Sequence, residues 1–144
     1  MQAQAYIILA QSDTTAGLFS TEFSQLNHAK RSPPHKPLLQ VVEHLSDLKA
    51  RVPVIHRAFV RRTRASCIYP NGKAFRVIRD PSVLDFLEHF GALYSTSANL
   101  SGGDFDLKWA QEVAHILIED KRGLYKAPPS AIFKLSRTHK RRFR

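Results

Sequence analysis

Short apolar runs alternate with amphipathic stretches along this chain, and the spacing within each predicts its element. Tyr6-Ile7-Ile8-Leu9 is an unbroken apolar run ahead of polar residues and predicts a buried strand, as does Leu38-Leu39-Gln40-Val41-Val42. Between them, residues 21–30 predict a short helix capped by Thr21, with Phe23 and Leu26 on its apolar face. Ser32-Pro33-Pro34 stops it, because proline rings exclude helical continuation. Residues 45–50 predict a further short helix with Ser46 as its cap, and Val54, Ile55, Ala58 and Phe59 fit a helical stripe across 52–60.

In the second half, Ser66-Cys67-Ile68-Tyr69 and Ala74-Phe75-Arg76-Val77-Ile78 flank Pro70-Asn71-Gly72. Asn-Gly between apolar runs predicts neighbouring antiparallel strands. Pro81 in a first turn, with Val83, Leu84, Phe86 and Leu87, predicts a helix ending before Gly91. Ala92-Leu93-Tyr94 leads a strand into the polar loop 95–102. Asp106 then caps a helix running to Asp120, with Leu107, Ala110, Val113, Ala114 and Leu117 on one face and Phe105 and Trp109 packed on the sheet. Residues 123–125 and 131–135 close the pattern as short strands. Alternating strands and helices without repeats or linkers imply a single α/β domain.

The loop Ser95-Thr96-Ser97-Ala98-Asn99-Leu100-Ser101-Gly102 concentrates hydroxyls, a carboxamide and a glycine between a strand and a helix. Two readings fit those residues. One is an ordinary Ser-rich turn with a local cap. The other is an anion site, in which small side chains let a ligand approach backbone N–H groups.

Composition narrows the choice of partner. The 144 residues carry 22 Lys and Arg against 12 Asp and Glu, a formal net charge of +10. The excess is uneven. Between Asp47 and Asp80 no acidic residue interrupts Lys49, Arg51, Arg57, Arg61, Arg62, Arg64, Lys73, Arg76 and Arg79, and residues 136–144 form a second basic block, read as a C-terminal tail after a domain spanning 1–135. Such asymmetry points to a polyanionic partner such as a nucleotide, RNA or an acidic protein, a solvated basic face being the plain alternative. Cys67 is alone, which excludes an internal disulfide and a cysteine-based zinc site, and the seven histidines show no HxxxH pair. No apolar run reaches the ~20 residues needed to span a bilayer, and residues 1–10 lack a secretory pattern, so a cytoplasmic protein without a membrane partner is expected.

Five segments, in order, resemble the YrdC-like family of threonylcarbamoyl-adenylate synthases. Gln11-Ser12-Asp13-Thr14-Thr15-Ala16-Gly17-Leu18 is similar to its PTDTxYGL segment, and Lys30-Arg31-Ser32-Pro33 with Lys36-Pro37-Leu38 to its KxRP…KPL stretch. Ala74-Phe75-Arg76-Val77 resembles AVRxP, residues 95–102 the signature loop, and Pro129-Ser130-Ala131-Ile132 the PSTI strand. The resemblance implies a twisted, mixed, largely open sheet with ligand in a concave basic face. It also implies a reaction of L-threonine, bicarbonate and ATP that gives threonylcarbamoyl-AMP and pyrophosphate, for modification of adenosine beside the anticodon of certain tRNAs. Any Mg2+ would arrive with ATP.

On that resemblance, Lys30 and Arg76 are the expected catalytic residues, Thr14 and Ser95 bind threonine or bicarbonate, and Lys36, Ser97, Asn99 and Ser130 bind the nucleotide. The chain departs from the pattern at several positions. Ser32 stands where KxR ends in Arg, Arg62-Thr63-Arg64 replaces a Pro-Gly-Pro, Ala16 replaces an aromatic and Gln11 a proline. Arg31, Arg62 and Arg64 are the residues that could compensate for the missing arginine. The alternative reading on the same fold is a catalytically impaired RNA- or nucleotide-binding module, supported by the same arginines and the basic C-terminal block. Partner proteins of tRNA modification belong to either reading.

Overall fold

The computed structural model describes residues 6–128 and 130–143. Pro129 of the PSTI-like segment, Arg144 of the basic block and residues 1–5, half of the N-terminal stretch without a secretory pattern, lie outside the described residues.

Strand β1 (Ile8–Gln11) is buried throughout, as its apolar run requires, and pairs antiparallel with β2 (Ala16–Ser20). Helix α1 (Phe23–Ala29) follows, then β3 (Leu39–Val42), helix α2 (Arg57–Arg62), β4 (Ser66–Ile68), β5 (Ala74–Val77) and helix α3 (Pro81–Phe90). The chain finishes with β6 (Leu93–Ser97), helix α4 (Leu107–Val113), β7 (Ile116–Ile118), β8 (Ile132–Leu135) and β9 (Lys140–Arg142). Among the described residues nine strands form one open mixed sheet in the order β7-β1-β2-β6-β3-β5-β4-β8-β9.

Helices cover the sheet on both sides. Because β1 side chains alternate, Ile8 and Ala10 join Val83, Phe86 and Leu87 of α3 in one cluster. Ile7 and Leu9 join Leu26 of α1 and Ala110 of α4 in another. A third cluster, around Val60, Cys67, Phe75, Val77 and Leu135, seats α2 on the far half of the sheet. On β5 the same alternation leaves Arg76 on the face opposite Phe75 and Val77. This mixed α/β architecture is the fold class expected.

Local chemistry placed several elements correctly. The Asn71-Gly72 hairpin joins antiparallel β4 and β5, with Cys67 opposite Phe75, and Gly72 takes a φ of 87°. Helix α3 starts with Pro81 in its first turn, the Asp80 carboxylate accepts from Ser82 N–H at 2.9 Å, and Gly91 ends it at φ 74°. Asp106 caps α4 by accepting from Trp109 N–H at 3.1 Å.

Elsewhere the expectations need correction. Thr21 does not cap α1, whose N-cap position is Glu22 without a side-chain bond. The helix expected over 45–50 is a single 3-10 turn at Leu45–Asp47, flanked by His44 rather than capped by Ser46. In 52–60 the stripe is displaced, since Val54 and Ile55 are exposed while Val52, His56 and Val60 are buried. A 3-10 turn at Val54–His56 precedes α2 and shifts the helical phase. The helix after Asp106 ends at Val113, and Ile116–Ile118 is a strand parallel to β1. Residues 123–125 form no strand.

The segment from 136, read as a tail, folds back onto the sheet. Ser136 N–H donates to His139 O at 2.8 Å, and Lys140–Arg142 pairs antiparallel with β8. Lys140 Nζ also sits 3.8 Å from the centroid of the Phe59 ring. Charged residues are compatible with such a position because it is an edge strand whose three residues are exposed.

Candidate functional site

Lys30 closes the C-terminus of α1, and its aliphatic stem is buried. Its ammonium donates to Thr96 Oγ1 at 2.6 Å and to Ser97 O at 3.1 Å, which ties α1 to the end of β6. Burial, with Lys36 nearby acting in the same direction, lowers its pKa to about 8. The loop beyond β6 is internally bonded. Ser97 Oγ donates to Asn99 Oδ1, and Asn99 Nδ2 donates to Leu100 O at 2.7 Å and Gly103 O at 3.1 Å. Ser101 N–H donates to Lys30 O at 2.9 Å, so the loop and the helix end are held by backbone as well as side-chain bonds.

Lys36 is brought to the same place by a buried asparagine. Asn27 is fully buried in α1, and its Nδ2 donates to Pro34 O at 3.2 Å and Lys36 O at 2.9 Å, which folds the proline-rich turn against the helix.

Across the cavity, Arg76 is 6% exposed and almost fully engaged. Nη1 meets Asp13 Oδ1 at 2.8 Å, and Nη2 donates to Ser66 Oγ at 2.8 Å and Ser130 Oγ at 2.6 Å. Nε is buried and without a partner among the described residues. Asp13 belongs to a turn after β1 in which Ser12 Oγ donates to Thr15 O at 2.6 Å and accepts from Thr14 N–H at 3.0 Å. Gln11 clamps this turn by donating to Thr14 O at 2.7 Å and accepting from Tyr125 N–H at 2.8 Å.

Several of these groups line one cavity of about 440 Å³. Thr14, Lys30 and Lys36 line it from one part of the chain, Arg76, Ser95, Ser97 and Asn99 from another, and Ser130 from a third. Every residue expected to be catalytic, substrate-binding or nucleotide-binding therefore lines a single space. Chemically it offers two lysine ammonium groups, a buried guanidinium and a ring of hydroxyls, a set suited to a phosphate- or carboxylate-bearing ligand. Among the described residues no group of three or more His, Cys, Asp or Glu side chains is placed to hold a metal ion.

No family model and no curated protein matches the sequence. Solved structures do match in shape. P. abyssi Sua5 complexed with L-threonine superposes with a TM-score of 0.78 at 16% identity, over 96% of this chain and 50% of that one. HypF in a phosphate- and nucleotide-bound form gives 0.75 at 14% identity, over 96% of this chain and 26% of that one. This is the YrdC-like fold. The MTH1692 protein of Methanobacterium thermoautotrophicum shares it at a TM-score of 0.67 and 19% identity, with 79% of its length covered. The chain thus spans half the length of the P. abyssi Sua5 chain and about a quarter of HypF.

Within this fold the residues expected to compensate for the missing arginine lie elsewhere. Arg31 takes a φ of 57° immediately after α1. Its N–H donates to His28 O at 3.1 Å, and Ser32 N–H donates to Asn27 O at 2.8 Å, the paired bonds of a left-handed helix stop. The stop carries the Arg31 side chain to a surface hollow shared with Ser24, Gln25 and His28. Arg62 and Arg64 line a different cavity, on the far side of Asp13.

Sequence reasoning gave no role to Asp13, Ser66, Thr96 or Asn27, although Asp13 lies inside the PTDT-like segment. It also overlooked Arg122. That guanidinium bonds Asp120 Oδ2 and Asp80 Oδ2 at 2.7 Å each and reaches the carbonyls of Gln11 and Ser12 at 3.3 Å. Hydrogen bonding from Arg122 holds the Asp120 carboxyl below its ordinary pKa. The Asp120–Arg122 pair and Gln11 together fix the backbone that presents Asp13 and Thr14.

Among the described residues no helix is long and apolar enough to cross a membrane.

Proposed function

We propose that the 440 Å³ cavity is the site of an L-threonylcarbamoyl-AMP synthase that serves tRNA modification in the cytoplasm. The observation that carries this reading is the convergence of Thr14, Lys30, Lys36, Arg76, Ser95, Ser97, Asn99 and Ser130 on one space, from segments far apart in sequence. The shared fold with a threonine-complexed Sua5 and a nucleotide-bound HypF supports it.

In this proposal the amine of L-threonine takes up the carbon of bicarbonate with loss of water, giving a carbamate. A carbamate oxygen attacks the α-phosphorus of ATP, the bond to the β-phosphate oxygen breaks, and pyrophosphate leaves with the electron pair. Mg2+ enters with the ATP. Such a transfer needs positioning and charge neutralisation more than covalent help. Lys30 and Lys36 neutralise phosphate charge, while Ser97, Asn99 and Ser130 orient the nucleotide. Thr14 and Ser95 offer hydroxyls to threonine and bicarbonate. Arg76, its charge balanced by Asp13, holds the Ser130 hydroxyl in place at the cavity wall.

The test is incubation of the purified chain with ATP, Mg2+, L-threonine and labelled bicarbonate, with chromatographic detection of labelled threonylcarbamoyl-AMP. Product that disappears when any one substrate is omitted supports the proposal. No product, alone or with partner proteins of tRNA modification, refutes it.

A further inference from the structure

The first cavity makes no use of the Arg62-Thr63-Arg64 turn. That turn lines a second cavity of about 620 Å³, together with Arg79 and Arg122. The turn is well anchored: Thr63 N–H donates to Phe59 O at 3.0 Å, and Thr63 Oγ1 accepts from Ala65 N–H at 3.1 Å. Arg79 enters from the connection between β5 and α3, so the cations come from separate segments.

Two carboxylates also face this cavity, and each already holds an arginine. Asp13 is bound to Arg76, and Asp80 to Arg122, whose charge is further offset by Asp120. Among the described residues no ion pair joins Arg62, Arg64 or Arg79 to a carboxylate. Arg62, Arg64 and Arg79 therefore share one concavity without an ion pair of their own, and although Asp80 and Asp120 together outweigh Arg122, an excess of positive charge remains that an anion placed among them offsets.

We propose that this second cavity binds a free oligophosphate, a small anion with two or more linked phosphate groups, independently of the first cavity. Guanidinium forks match the oxygen spacing of phosphate, and forks from separate segments suit an anion that presents oxygens in several directions. The volume falls within the roughly 300–1,000 Å³ of small-ligand sites. The arginines line an inward hollow rather than a ridge, which favours an anion that enters it over a nucleic-acid backbone that passes across it. The ion pair of Asp13 with Arg76 separates the two sites, Asp13 facing the second cavity and Arg76 the first.

The experiment is calorimetric titration of the full chain with inorganic tripolyphosphate at low salt, repeated in Lys36→Ala, which weakens the phosphate side of the first cavity. Saturable binding is expected to persist in that variant. It should weaken about tenfold or more in Arg62→Ala/Arg64→Ala and in Arg79→Ala, and stay within about twofold in Lys36→Ala. Equal loss in Lys36→Ala, no change in either arginine variant, or no saturable binding by the wild type overturns the proposal. A single-stranded RNA oligomer is titrated alongside. RNA binding that needs Arg62 and Arg64 but is not displaced by tripolyphosphate would assign these arginines to a nucleic-acid backbone and likewise overturn it. The mixture contains neither threonine nor bicarbonate, so its outcome is separate from that of the synthesis assay.

Discussion

Asp13 Oδ1 lies 2.8 Å from Nη1 of Arg76, and the two side chains are only 8% and 7% exposed. One partner belongs to the turn after β1 and the other to the middle of β5, so this ion pair crosses the sheet face and forms the wall between the two cavities. The same guanidinium positions Ser66 and Ser130, which makes the carboxylate of Asp13 the support of that side of the site.

Breaking this pair from one side leaves a buried charge uncompensated. Asp13→Ala is expected to lower the unfolding free energy by about 3–5 kcal/mol, measured by urea denaturation. Asp13→Ala/Arg76→Met removes both charges and should recover a large part of that loss. A single variant as stable as the wild type would show that the pair contributes no structural support.

Lys30 gives the site a pH dependence. Its pKa is lowered to about 8, so the ammonium is lost from the folded site as pH rises through that value. ATP affinity is expected to fall between pH 7 and 9.5, and Lys30→Met should flatten that part of the profile. The stability effect has the opposite sign. Between about 8 and the ordinary lysine value near 10.4, the unfolded chain holds a proton that the folded chain has released, so the contribution of Lys30 to stability rises with pH over that window. Chemical denaturation of wild type and Lys30→Met at pH 7 and 10 measures both states.

Arg31 adopts a left-handed backbone that favours glycine. Arg31→Gly is expected to stabilise the chain by about 1 kcal/mol, seen as a melting temperature roughly 3 °C higher. ATP affinity should stay unchanged, since the side chain lies outside the cavity.

Asn27 holds the turn that carries Lys36. Asn27→Ala leaves the carbonyls of Pro34 and Lys36 unpaired, at a cost of about 2 kcal/mol in stability. ATP affinity should fall in parallel although residue 27 does not line the cavity, and titration calorimetry would detect it.

What could be read from the sequence follows how local each signal is. The β4–β5 hairpin and α3 depend on Asn71-Gly72, Pro81 and Gly91, which act on their own neighbours. Strand β7 reads as helix in the sequence because Leu117 continues the spacing of α4, and only parallel pairing with Ile8–Ala10 makes it a strand. Lys140-Arg141-Arg142 carries no apolar signal, yet backbone pairing with β8 suffices at a sheet edge. At the site, family-like wording marked Lys30, Ser97 and Asn99, and the structure gathers them around one cavity with Thr14, Arg76 and Ser130. Pairing Asp13 with Arg76 required the fold, because 63 residues separate them. The same holds for the arginines: the stop at Arg31 turns that side chain outward, and Arg62 and Arg64 face a different cavity.

The most direct measurement of the central claim is a backbone amide NMR titration of the full chain with a non-hydrolysable ATP analogue, Mg2+ and L-threonine. Saturable shifts are expected, concentrated at Thr14, Lys30, Lys36 and residues 95–99, with Ser130 among them. Lys36→Ala should weaken them, and Arg62→Ala/Arg64→Ala should leave them in place. Shifts confined to Lys140–Arg142 or to the Arg62–Arg64 turn, with residues 95–99 silent, would contradict it.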